Sequence, residues 1–436
     1  VEFAGIGYCF VASFAKDRSA MSHIDRQSEI PEGRLTGVDI LRTVATLLVV
    51  ALHAGIPYLP EMMPGLAWSV KGIDAAQQSH FVTWFVWSIE CFIMPLFFIV
   101  SGVSTRIMLD RRGEAALFRN RRDRLLIPFL CFGVPILIAE FYIWNLGYVD
   151  RGELTWNQYW EFDAKDYDPR LWGIAHFWYL QYLLLYTILL VLSCKIRGSS
   201  HPGTERWFSW GGTRQYLALV FVTLVWAIPF LTVYPSIVAD FDHSVMPIAK
   251  RVWYFGIYFA AGVSLVSSVR KSPRLAMRTA MLTVIIAVLM LPLAIPQIRA
   301  FLGGPPALSE AYTGVILALV ALGYSIGITT LTLRWNPPLS SALKYLSASS
   351  YWVYFIHHLL CGAIHLGLNE TTYTVLAKYL ITVVGATLGS LITYQLLIRN
   401  RWPEVIFNGR RSTLRTGSVV VDEDSSETNT SEESLS

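Results

Sequence analysis

In the stretch VDILRTVATLLVVALHAGIPY, residues 38 to 58, Arg42 and His53 stand with ten residues between them in an otherwise apolar run. Eleven helical steps of about 100° return to within about 20° of the start, so both side chains share one face, about 16 Å apart along the axis. A guanidinium grips oxyanions through its planar fork. An imidazole that titrates near neutrality can take a proton from an attacking hydroxyl. The pair therefore predicts an anion held at Arg42 and proton transfer at His53. Ionisable groups at membrane depth are costly and normally face a polar interior. The competing reading makes Arg42 an interfacial anchor that snorkels to the headgroups and His53 a packed core residue.

The elements that must hold this pair are membrane helices. The chain has 436 residues, 54% hydrophobic and only 15% charged, too little charge to cover a soluble surface. Hydropathy predicts an all-α integral membrane protein of about ten spans. They lie near 38–58, 81–108, 125–147, 172–194, 215–238, 252–269, 279–298, 312–333, 349–368 and 375–398. The second is longer than a bilayer needs and is expected to tilt or to bend at Pro95. Strands of alternating polarity, as in an outer-membrane barrel, are not evident.

Lysine and arginine predict the sidedness. Arg106 to Arg124, Lys195 to Arg214, Arg270 to Arg278 and Arg399 to Arg411 fall on one side of the spans. The loop 153–172 on the other side is acidic and aromatic. Both termini are thus expected in the cytoplasm, with the protein a multi-pass component of the cell (inner) membrane. Residues 1–33 read as a cytoplasmic extension, 34–400 as the membrane domain, and 401–436 as a cytoplasmic tail, disordered from about 416 because VVVDEDSSETNTSEESLS is acidic and lacks aromatics. Residues 1 to 20 have no basic n-region or evident cleavage site, so a signal peptide is not expected; Met21 is a candidate natural start.

Arginine, ten residues, then histidine at the start of the first span resembles the signature of the membrane-bound acyltransferase-3 family. The likeness continues in order through MPLFFIVSG (94–102), RNRRDRLLIPFL (119–130), HFWYLQYLLLY (176–186) and YWVYFIH (351–357). It covers roughly residues 34 to 400. The second and fourth motifs lean toward a branch whose members succinylate periplasmic glucans. Val103 departs from the family, many of whose members place phenylalanine after Ser-Gly. The resemblance implies transfer of an acyl group, acetyl or succinyl, from cytoplasmic acyl-CoA to a hydroxyl of an envelope or extracytoplasmic glycan. Acyl-CoA would be a donor substrate, with no permanently bound cofactor.

In that frame His53 is the expected general base, or the site of a transient acyl-imidazole. Its orienting acceptor is expected to be Glu140, at about the same depth, or Glu90 in the second span. Both carboxylates could equally pair with arginines or be held protonated. Arg42 would face the donor, with Asp39 one turn below holding its side chain. Arg122 and Arg124, next to the third span, are the candidates for the nucleotide phosphates, although sidedness alone also accounts for basic residues there. Ser101, beside Gly102, is expected to line the donor route or simply to let backbones approach. His176, Trp178 and His357 would position the carbohydrate acceptor. The neighbours His357 and His358 point about 100° apart on a helix, so at most one is expected to line the cavity.

Other chemistries find little support. The five cysteines are scattered, and P-loop, HExxH and CxxC patterns are missing, so a metal site and nucleotide hydrolysis are not expected. Basic residues flank spans rather than forming a nucleic-acid footprint. The rival function is a proton-coupled transporter exporting an acylated or glycosidic molecule, because buried Arg, His and Glu describe such pumps too. Internal inverted symmetry, common in transporters, is not evident by eye.

Overall fold

The computed structural model describes residues 35–61, 78–160, 173–196, 214–239, 244–302 and 309–408. The N-terminal extension, the second half of the aromatic loop (161–172) and the acidic tail lie outside them. All regular elements among the described residues are helical. They are α1 Thr36–Gly55, α2 His80–Glu90, α3 Ile93–Arg121, α4 Val134–Asp150, α5 Trp178–Ile196 and α6 Gln215–Val233. After these come α7 Ala249–Lys271, α8 Pro273–Phe301, α9 Glu310–Leu322, α10 Ile328–Arg334, α11 Ser341–Leu368, α12 Val375–Thr393 and α13 Trp402–Asn408.

Nine helical stretches among the described residues are long and apolar enough to cross a membrane. One of them, His80–Asp150, has 71 residues, about 105 Å if straight and far longer than a bilayer core. It does not run straight. Gly113 adopts φ 75°, a left-handed value that costs glycine nothing. Arg121 Nη2 donates to Thr105 Oγ1 at 2.6 Å across that point, although a continuous helix would hold the two residues about 24 Å apart. The chain doubles back at Gly113, and this stretch supplies two of the ten expected spans.

Two details differ from the sequence expectation, both because of proline. The second span breaks at Cys91 and Phe92, before Pro95 rather than at it. A proline ring clashes with the carbonyl four residues back, which here belongs to Cys91. Pro95 is thereby left in the first turn of α3, where its missing N–H does no harm. The basic residues 119–124, expected in a loop between the second and third spans, are helical. Two π-helical turns, Arg122–Leu126 and Phe129–Gly133, flank Pro128. Pro128 has no N–H to offer the Arg124 carbonyl, and the Tyr351 hydroxyl donates to that oxygen at 2.7 Å.

Polar ties at the helix ends show alternating passage. Thr36 at the start of α1 donates to Asn336 beyond α10. At the opposite end Arg299 of α8 pairs with Glu61 beyond α1 at 2.6 Å, and Asn369 after α11 donates to Asp150 of α4. Helices α1 and α7 are buried over most of their length, whereas α6, α8 and α12 keep wide apolar faces exposed. Such faces suit lipid.

The α3–α7 contact is the most extensive in the bundle. Gly102 and Gly262 face each other there: a Cβ on Gly102 would run into the Phe259 carbonyl oxygen, and one on Gly262 into that of Ile99. This is the close backbone approach expected of Ser-Gly in a membrane helix.

Candidate functional site

His53 lies near the end of α1 and is 8% exposed. His357 Nδ1 faces the carbonyl oxygens of Val353 (3.1 Å) and Tyr354 (2.9 Å). A nitrogen facing two acceptors carries the proton, so His357 Nε2 holds the lone pair. That nitrogen is 3.3 Å from His53 Nδ1, which also lies 2.9 Å from the Val49 carbonyl. The pattern places the His53 proton on Nδ1, shared between Val49 and His357, and leaves Nε2 as the basic nitrogen. Where a carboxylate was expected beside His53, the groups at its Nδ1 are an imidazole and a backbone carbonyl.

Glu140 meets two other histidines. Its Oε1 lies 3.5 Å from His176 Nδ1 and 3.3 Å from His358 Nδ1. It is coupled to His53 through the His358 ring, whose centroid is 4.9 Å from that of His53. His176 precedes α5 in a 3₁₀ turn, Ala175–Phe177. The backbone at Ala175 adopts φ 42°, a strained value for a residue with a Cβ, and this kink aims the next side chain inward. The His176 carbonyl is held by the Tyr354 hydroxyl at 2.7 Å. Five elements of chemistry, His53, His176, His357, His358 and Glu140, therefore meet from four parts of the chain.

A cleft opens beside this cluster, lined by His53, His176, His358, Trp178, Glu90 and Arg251 among others. Of the two neighbouring histidines one does line it, as expected, but it is His358; His357 is fully buried behind His53. Glu90, at the end of α2 where Pro95 breaks the helix, faces the cleft together with Arg251 of α7. Arg251 is 1% exposed, and its guanidinium stands 5.2 Å from the Trp178 ring, a cation–π contact. Sequence reasoning passed over Arg251. The available signal was a Lys250–Arg251 pair entering a span on the side otherwise poor in basic residues.

At the other end of α1, Arg42 pairs with Asp39 at 3.2 Å, as expected, and is 44% exposed. Arg122 points outward and pairs with Asp123 at 2.7 Å, so it does not join this group. Arg124 remains half-buried beside Tyr351. The inward guanidinium of the basic run is Arg121, which the sequence reading passed over; it interacts electrostatically with Tyr179, Tyr351, Arg124 and Arg42. Its signal would have been helical phase, hidden while the run was taken as a loop. Ser101 Oγ hydrogen-bonds the Tyr179 hydroxyl, and Tyr179 lines the cleft. Tyr351 stacks on Tyr354, which lies 6.2 Å from the His357 ring. Tyrosine side chains thus connect the arginine end to the histidine cluster.

The family model described as an acyltransferase domain (Acyl_transf_3) matches residues 35–395. The glucans biosynthesis protein C of Escherichia coli O6:K15:H31 (strain 536 / UPEC) is 28% identical over 163 residues, covering 37% of this chain and 39% of the relative. The protein of the same name from Escherichia coli (strain K12) matches with the same identity and coverage. The chain thus aligns with about two fifths of the length of these curated relatives. No solved structure matches the chain significantly. With a family match running from the start of α1 to just past the end of α12, the chain belongs to the acyltransferase-3 family.

Proposed function

We propose that the protein is a membrane O-acyltransferase carrying an acetyl or succinyl group from cytoplasmic acyl-CoA to a hydroxyl of an extracytoplasmic glycan. The observation that carries this reading is the His53–His357 pair at the cleft, with Arg42 about 16 Å away on the same helix. In the reaction, the acceptor hydroxyl gives its proton to His53 Nε2 as its oxygen bonds the thioester carbonyl carbon. The carbon–sulfur bond then breaks, and the proton passes from the imidazolium to the departing CoA sulfur. The Val49 carbonyl and His357 stabilise the imidazolium through Nδ1–H, the role that an orienting acceptor plays in other base-activated nucleophiles.

The donor's phosphates would sit at Arg42, Arg121 and Arg124, and its pantetheine arm would follow Ser101, Tyr179 and Tyr354 to the cleft. Glu90, Trp178, His176 and Arg251 would face the acceptor. A sugar ring can stack on an aromatic face such as Trp178 and hydrogen-bond Glu90 and Arg251. Membership of the family and the partial likeness to proteins named for glucan biosynthesis both support this assignment.

The test uses the purified protein in liposomes with labelled acyl-CoA and envelope glycans, read by mass spectrometry, alongside glycans from cells with and without the gene. Acyl label should appear on the glycan only with the protein present. Arg42→Lys and Arg121→Lys should raise KM for acyl-CoA by about tenfold, a loss of about 1.4 kcal/mol, while KM for the acceptor stays put. Movement of intact glycan across the liposome without acyl transfer would instead establish the transporter.

This reading also requires the histidine end of α1 to face outward. In a variant with the five natural cysteines replaced, Glu153→Cys should react with an impermeant thiol reagent in intact cells. Arg112→Cys, beside the Gly113 turn, should react only after lysis. The reverse labelling would overturn the orientation.

A further inference from the structure

We infer that Glu140, His176 and His358 form a binding site for a divalent transition-metal ion, with zinc the best fit. The inference does not depend on the acyl-transfer reading. All three residues are buried, and one ligand atom from each lies within 4.8 Å of the others. His176 Nε2 lies 3.2 Å from the Phe355 carbonyl, so Nε2 carries the ring proton and Nδ1 carries the lone pair. That lone pair faces Glu140 Oε1, itself an acceptor. Two acceptors facing each other inside a protein need either a proton or a metal ion between them.

The distances indicate which cation. Charge-assisted N–H···O contacts close to about 2.7–2.9 Å, but the two contacts here are 3.3 and 3.5 Å. Among the described residues, neither Glu140 oxygen nor His176 Nδ1 has a hydrogen-bond partner. A tetrahedral metal with ligands at about 2.0–2.2 Å has ligand–ligand edges of about 3.3–3.6 Å. The two contacts match those edges. The Phe355 carbonyl also supplies the support that ligating histidines usually find, an acceptor for the other ring N–H.

Two imidazoles and one carboxylate suit zinc or a neighbouring first-row divalent ion better than magnesium or calcium. Three protein ligands leave a fourth position to an oxygen from water or substrate, as in catalytic rather than structural zinc sites. His176 and His358 line the cleft from which it would come. A bound ion would also fix the His358 ring, whose centroid lies 4.9 Å from that of His53. No local motif announces the site, because the ligands come from α4, the turn before α5, and α11.

The full-length chain, carrying a purification tag without histidine, is stripped with chelator in detergent, reloaded with zinc chloride and desalted. Metal is then counted by inductively coupled plasma mass spectrometry. Stoichiometric zinc is expected in the parent and in His53→Ala. Glu140→Gln should lower zinc affinity by at least about tenfold, the lower end of what losing even an outer-shell partner costs. As a check independent of that variant's folding, cobalt-loaded His358→Cys should show a thiolate-to-metal charge-transfer band that the cobalt-loaded parent lacks. A parent that retains no zinc, equal retention by Glu140→Gln, or no thiolate band would each overturn the site. Acyl transfer by a parent protein that takes up no zinc would sink this inference alone. Zinc binding without acyl transfer would sink only the enzymatic reading.

Discussion

His53→Ala and His53→Gln are expected to reach the membrane at the parental level and to lose acyl transfer by about 10²–10⁴-fold, the usual contribution of a positioned base. The ring does little for folding that an amide could not replace, since it lies at the edge of a cleft rather than filling the core. Glutamine can still donate toward the Val49 carbonyl but cannot accept the acceptor's proton. His357 acts one step back, through His53 Nδ1. His357→Gln, which keeps a hydrogen-bond acceptor, should therefore lose less activity than His357→Ala. Acylation of the glycan measured against protein in the membrane decides the matter. Normal transfer by either His53 variant at equal expression would reduce His53 to a packed polar residue.

The other large effect concerns the scaffold. Gly102→Ala should cost about 1–3 kcal/mol or more, the range for overpacking, and Gly102→Leu should abolish a monodisperse detergent-solubilised protein. The added Cβ would run into the Phe259 carbonyl oxygen and lie 2.8 Å from the Val263 nitrogen and 2.9 Å from the Gly262 Cα. These are backbone atoms of a helix and cannot rotate away, so α3 and α7 would have to separate. Gly367→Ala is the control, because a Cβ there meets nothing within 4 Å among the described residues. Thermal unfolding and size-exclusion profiles of the two alanine variants should diverge; coincidence would show that the α3–α7 contact tolerates a wider spacing. The effect on activity would be indirect, since α3 carries Ser101 and α7 carries Arg251.

Much of this architecture is local, and local features were legible. Apolar runs of bilayer length marked the spans, and helical periodicity put Arg42 and His53 on one face of α1. The three-residue spacing of Asp39 and Arg42 foretold their ion pair. Even the break before Pro95 and the freed Arg124 carbonyl follow from one residue's chemistry acting four positions away. Arg121 was hidden for a nearby reason: its inward phase exists only if the basic run is helical, and a run of arginines beside a span satisfies the sidedness rule equally well as a loop.

Sequence by itself therefore determined the class of fold, the span positions and the shared face of Arg42 and His53, because periodicity, proline and glycine act within a few residues of themselves. Tertiary structure alone decided who stands opposite that face. Glu140 met His176 and His358 instead of His53, His358 rather than His357 took the cleft, and Arg251 arrived from α7 beside Glu90. The physical reason is that lipid and helix interior are equally apolar, so hydropathy says that a helix crosses but not which neighbour it chooses. That choice rests on backbone approach at Gly102 and Gly262 and on polar groups hundreds of residues apart that must satisfy one another away from water. The histidine cluster is where those two demands meet.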